Sequence, residues 1–177
     1  MTAGHSAPTG LRWLPAFLFR AESWPGYVVR AWLLALLPSI GFAALVSAAA
    51  PDAVMPDFGA PVGPAQEAAL AVALVLVGPF LETLIMALFL VVARALFGAV
   101  PAVLFSAVGW GLAHSFGGLL ADGPATLTWG LVVWWPFLIF SIAFLTWRER
   151  GLAAGIGTAT VIHGLQNSLP AAALVLA

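Results

Sequence analysis

The sequence predicts an all-α integral membrane protein, a bundle of about five transmembrane helices preceded by an N-terminal interfacial helix. Three observations carry that expectation. Of 177 residues, 63% are hydrophobic and only 7% are charged, against roughly 25% charged in an ordinary soluble domain. Six arginines and seven acidic residues cannot clothe a water-soluble globule of this size, so the bilayer has to act as solvent. The apolar residues fall in five runs, each long enough to cross a hydrocarbon core of about 30 Å at 1.5 Å per residue. The runs are continuous, without the alternation of barrel strands, and helices satisfy the backbone in lipid.

Residues 1–30 form the expected interfacial segment, because Trp13, Phe17, Phe19 and Trp24 are mixed with Arg12, Arg20 and Glu22. Pro15 and Pro25 are expected to break it. The spans follow at about 31–50, 68–93, 99–120, 127–147 and 153–177, within one domain covering 1–177. Between the first two, the run from Ala50 to Pro64 holds four prolines and two glycines and reads as an extended external loop. Ser47-Ala48-Ala49-Ala50 resembles a cleavage site, but about thirty residues precede the apolar run, too many for a usual signal peptide.

Charge sorts the connecting segments. Arg12, Arg20 and Arg30 precede the first span, Arg94 follows the second, and Arg148 and Arg150 follow the fourth. Asp52, Asp57 and Glu67 lie between spans one and two, and Asp122 between three and four. Five crossings put every arginine on one side. The positive-inside bias then predicts a plasma (inner) membrane protein with a cytoplasmic N-terminus and an external C-terminus. A net charge of −1 and no lysine give no basic stripe, so nucleic acid is not an expected partner. Cysteine is absent, which excludes disulfide frameworks, thiolate metal sites and cysteine nucleophiles. The partners implied are the bilayer and a membrane-associated peptide or protein.

Ionisable groups at bilayer depth are costly, so each is a functional candidate. Glu82, His114 and His163 lie well inside the spans, with the amide of Asn167 beside them. Measured from the cytoplasmic ends, their depths are about 16, 22, 15 and 21 Å at 1.5 Å per residue. Three helices of alternating direction therefore deliver these groups to one layer. His163 and Asn167 are four apart on one helix face, continuous with Ala159, Gly155 and Gly151, a small-residue row that favours close packing. Pro79 should loosen the backbone just before Glu82, freeing carbonyls there. Each polar group alone has a plainer reading as helix-bridging glue; the shared depth favours one site.

A carboxylate, two imidazoles and an amide suggest hydrolysis: a general base takes a proton from water, and hydrogen-bond donors stabilise the developing oxyanion. No Gly-x-Ser-x-Gly or triad context signals a covalent nucleophile. No cofactor is required. Zinc on Glu82, His114 and His163 is the alternative, without a His-Glu-x-x-His sequence to support it. Bis-histidine haem would leave Glu82 and Asn167 unexplained.

Gly78-Pro79-Phe80-Leu81-Glu82-Thr83-Leu84, Trp110-Gly111-Leu112-Ala113-His114 and His163-Gly164-Leu165-Gln166-Asn167 resemble, in order and interval, three motifs of the CAAX prenyl protease and bacteriocin-processing family of intramembrane proteases. The resemblance covers about 78–170. It implies a helical membrane peptidase in which Glu82 and His114 activate water while His163 and Asn167 stabilise the oxyanion. The chain departs from the commoner pattern at Thr83, where a second glutamate often stands, at Ala87, where an arginine does, and at Trp110 in place of phenylalanine. The competing reading from another class is a non-catalytic scaffold or immunity-type protein that keeps the protease fold.

Overall fold

The computed structural model describes residues 8–50, 63–122 and 126–176, and they are helical almost throughout. The helices are α1 (Trp24–Ala49), α2 (Pro64–Val72), α3 (Gly78–Phe97), α4 (Ala99–Asp122), α5 (Trp129–Trp147) and α6 (Leu152–Leu176). A π-helical turn, Ala73–Val77, joins α2 to α3, so the two run on as one long rod. Four helical stretches are long and apolar enough to cross a membrane: Trp24–Ala49, Pro64–Phe97, Ala99–Leu120 and Trp129–Arg150. The fifth long helix, α6, has 25 residues, a length of about 37 Å. The expected loop falls on 51–62, outside the described residues; its last residue, Pro64, instead opens α2, as proline does at a first helical position.

The expected interfacial helix is not formed. Residues 9–19 make two short 3-10 turns, Thr9–Leu11 and Ala16–Phe19, and α1 starts at Trp24 instead of near residue 31. Pro15 precedes the second turn and Pro25 sits in the first turn of α1, so one proline separates elements and the other starts one. The segment faces protein: Leu11, Leu14 and Leu18 are buried with Tyr27, Phe144 and Trp147. The Leu18 carbonyl accepts from Thr146 Oγ1 (2.7 Å) and Tyr27 Oη (3.1 Å), and the Arg150 guanidinium donates to the Ala21 carbonyl.

These contacts gather the arginine-bearing segments at one end of the bundle. Arg30 lies over the Phe17 ring at 4.5 Å and Arg150 over Trp147 at 5.2 Å. Arg94 lines a small hollow with Leu11, Phe19, Thr146 and Glu149. Two glycines with positive φ turn the chain here, Gly98 (84°) between α3 and α4 and Gly151 (129°) before α6, a conformation that side chains with a Cβ resist.

Helix α5 is the hub. Of its best apolar window 72% is buried, against 22–28% in the other three candidate spans, as expected of a helix apolar on every face. It packs on α1, α4 and α6. Where α4 crosses it, glycines bring the backbones together: a Cβ at Gly111 would stand 3.1 Å from the Gly130 carbonyl oxygen. A polar layer, Ser141 to Ser106 at 2.8 Å with Met86 Sδ at 3.4 Å, ties α5 to α4 and α3. On α6 the row Gly155, Ala159, His163 faces inward; a Cβ on Gly155 would lie 2.9 Å from the Phe144 carbonyl oxygen.

Prolines supply much of the remaining polar bonding between helices. Pro38 has no N–H for the Leu34 carbonyl one turn back, and Trp135 Nε1 donates to that oxygen at 2.7 Å. Pro136 likewise leaves the Val132 carbonyl without its helical donor, and Ser39 Oγ lies 3.2 Å from it, sharing its proton with the Ala35 carbonyl at 3.0 Å. Helices α1 and α5 thus satisfy each other's proline-freed acceptors. Trp135→Phe is expected to lower stability by about 1–3 kcal/mol, the cost of an unpaired buried acceptor, in reversible unfolding in mixed detergent micelles.

Candidate functional site

Glu82 lies at the start of α3, five residues after the π-helical turn ends. In that turn the Gly78 N–H bonds to the Ala73 carbonyl, an i to i+5 rung. The next rung would need an N–H at Pro79, which has none, so the Leu74 carbonyl is left over. Asn167 Nδ2 on α6 donates to it at 3.1 Å. Gly164, one turn earlier on α6, allows the approach, since a Cβ there would stand 2.6 Å from the Val75 carbonyl oxygen. The loosened backbone expected near Glu82 therefore exists, and its freed carbonyl goes to a side chain. Replacing Asn167 with leucine is expected to cost about 1–3 kcal/mol, and Pro79→Ala in the same chain should recover part of it by returning an N–H to the ladder. Unfolding of the two variants in detergent checks this.

That anchoring sets His163 beside Glu82. His163 Nε2 lies 3.8 Å from Glu82 Oε2, with His163 side-chain exposure 5% and that of Glu82 31%. The separation exceeds a hydrogen bond, and neither Glu82 Oε2 nor His163 Nδ1 has a protein hydrogen-bond partner. The His163 ring stacks on Phe140 (4.7 Å, 24°) and meets the edge of Phe137 (5.2 Å). A proton on Nε2 faces the carboxylate, so electrostatics favours the Nε2–H tautomer of the neutral ring.

His114 takes the opposite tautomer. Its Nδ1 lies 2.8 Å from the Trp110 carbonyl oxygen, which only accepts, so Nδ1 carries the proton and Nε2 presents a lone pair. The ring packs against Phe137 at 5.4 Å, and Trp110 stacks on the same phenylalanine at 4.6 Å and 9°. Phe137 and Phe140, consecutive on one face of α5, thus fix both imidazoles.

Glu82, His114, His163 and Asn167 all line one cavity of about 650 Å³. These are the four residues expected from sequence, and among them Glu82 and His163 approach to 3.8 Å. The structure adds Trp110, Phe137 and Phe140 as the aromatic walls that orient the imidazoles, Gln166, and Ser39 of α1. Two of these stand in the motifs read from sequence: Trp110 four residues before His114, and Gln166 one before Asn167. Phe137 and Phe140 carry no such mark, since every face of α5 is apolar. Among the described residues no three His, Asp or Glu side chains converge on a point that could hold a metal ion.

No protein-family model, curated protein or solved structure matches this chain. The functional reading rests on the chemistry of the cavity.

Proposed function

We propose that the protein is an intramembrane endopeptidase that hydrolyses a peptide bond of a membrane-associated substrate with water activated by Glu82. The observation that carries the reading is the pairing of the Glu82 carboxylate with the His163 imidazole at 3.8 Å in a cavity that His114 and Asn167 also line. The motif resemblance supports the same assignment. In this reading the fourth and fifth long apolar stretches complete five crossings, with the arginine-bearing end in the cytoplasm.

Glu82 is the general base. It draws a proton from water as the oxygen attacks the scissile carbonyl, then returns that proton to the leaving amine. The Nε2 lone pair of His114 accepts the second water hydrogen and orients the nucleophile. The Nε2–H of His163 donates to the oxyanion, a contribution of roughly 3 kcal/mol for one such donor. Asn167, with one N–H given to the Leu74 carbonyl, holds the α3 backbone at the depth of His163 and offers its other N–H to the same oxyanion.

The test is cleavage of a library of transmembrane and lipid-anchored peptides by the purified protein in proteoliposomes, read by mass spectrometry. Hydrolysis that persists after exhaustive chelation supports the carboxylate mechanism; loss on chelation with recovery on zinc addition overturns it. The second reading, a non-catalytic scaffold, is favoured by one observation, the structural use of the Asn167 amide, and predicts no cleavage product from any peptide.

A further inference from the structure

The cavity's described lining lies away from the arginine end. On every helix its lining residues lie on the far side of, or level with, the polar quartet. On α1 they run from Leu36 to Ala43, in the C-terminal half of a helix that starts at Trp24; on α4 they run from Trp110 to Gly118. On α5, whose polarity is reversed, they occupy the N-terminal two-thirds, from Trp129 to Phe140. Below that level the Ser106–Ser141–Met86 layer and the side chains of Leu90, Phe144 and Ile162 are buried, and the small hollow at the arginine end shares no lining residue with this cavity.

The open side has a structural cause. Helices α3 and α4 meet through the tight turn at Gly98, but above Glu82 the α2 and π-helical segments pack on α6, where Asn167 and Gly164 hold them. Helix α4 stays with α5. Ala113 and Gly117 of α4 consequently line the cavity and remain exposed. Among the described residues the walls carry no lysine, arginine or aspartate, and Glu82 is the one acidic residue. Such a wall penalises a charged side chain, which would lose its hydration without gaining a partner.

We propose that the site is served only from the membrane face opposite the arginines, the external face by the positive-inside bias, and that it takes an uncharged, apolar peptide segment. This rests on the peptidase reading for the ligand's class; the side of access relative to the arginines follows from where the lining residues sit, and its assignment as external from the arginine bias. A substrate is therefore presented from outside the cell or from the outer leaflet, and a peptide delivered to the cytoplasmic surface is not a substrate.

Because the chain has no cysteine, single-cysteine labelling tests this without background. Gly117→Cys is suited to it, since nothing lies within 4 Å of a Cβ there. Ser23→Cys marks the arginine end, and Leu88→Cys marks the lipid-facing side of α3, where the leucine is 70% exposed. A membrane-impermeant charged thiosulfonate should modify Gly117→Cys in right-side-out vesicles and Ser23→Cys only in inverted ones. Leu88→Cys, facing lipid, should react in neither. Preincubation with an N-blocked trileucine amide should slow modification of Gly117→Cys several-fold, and a trilysine amide should not. Modification of Gly117→Cys from the same side as Ser23→Cys, or from neither side, overturns the proposed access. The reverse sidedness for both cysteines overturns the external assignment, and equal protection by the two peptides overturns the ligand class. Labelling needs no turnover, so Glu82→Gln in the Gly117→Cys chain should label identically. That result separates failure of the access proposal from failure of the peptidase reading.

Discussion

Glu82→Gln is expected to abolish peptide cleavage, a fall of roughly 10²–10⁴-fold or more for loss of a general base, while the bundle stays folded. The amide keeps the shape of the carboxylate and removes its ability to take a proton from water. Structural cost should be small, because Glu82 Oε2 makes no protein hydrogen bond that the substitution could break and lies 3.8 Å from His163 Nε2. Detergent unfolding should therefore place the variant within about 0.5 kcal/mol of the native chain, as for substitutions that break no specific contact. Cleavage by the Glu82→Gln protein at the native rate would remove Glu82 from the chemistry. Loss of fold and cleavage together would assign it a structural role.

The second large effect is expected at Gly130, where the smallest possible side chain should break the bundle. A Cβ there would fall on the Gly111 carbonyl oxygen and the Ser115 hydroxyl, and the first is backbone that cannot rotate away. Gly130→Ala forces α4 from α5, which loosens the Trp110–Phe137 stack and with it the seat of His114. Overpacking of this kind typically costs about 1–3 kcal/mol and occasionally more; backbone contact puts this case at about 3 kcal/mol or above. Reversible unfolding measures the loss. Gly157→Ala on α6 is the control, since a Cβ there meets nothing within 4 Å, and it should be near neutral. A Gly130→Ala protein as stable as the native one would refute the close α4–α5 crossing.

Much of this molecule is legible in one dimension. Composition names the solvent, and long apolar runs in lipid leave the backbone little choice but helix. The quartet Glu82, His114, His163 and Asn167 stands out for the same reason: polar groups are conspicuous where nearly everything else is apolar. Their meeting could be anticipated because helical rise turns sequence distance into depth. The N-terminal segment was misread because mixed aromatic and charged residues suit both a headgroup layer and the end of a protein core. Only the burial of Leu11, Leu14 and Leu18 distinguishes the two.

The sequence by itself determined the helices, the depth of the polar groups and the sorting of arginines into alternate connections. Those properties depend on local periodicity and on the free energy of single groups in lipid. Tertiary structure alone decided that α5 is the hub, that Asn167 goes to the Leu74 carbonyl and that Trp135 goes to Leu34. The last two depend on which donor reaches which proline-freed acceptor. A sequence shows which carbonyls lose their helical partner, but only the packed bundle shows which neighbouring helix supplies the replacement.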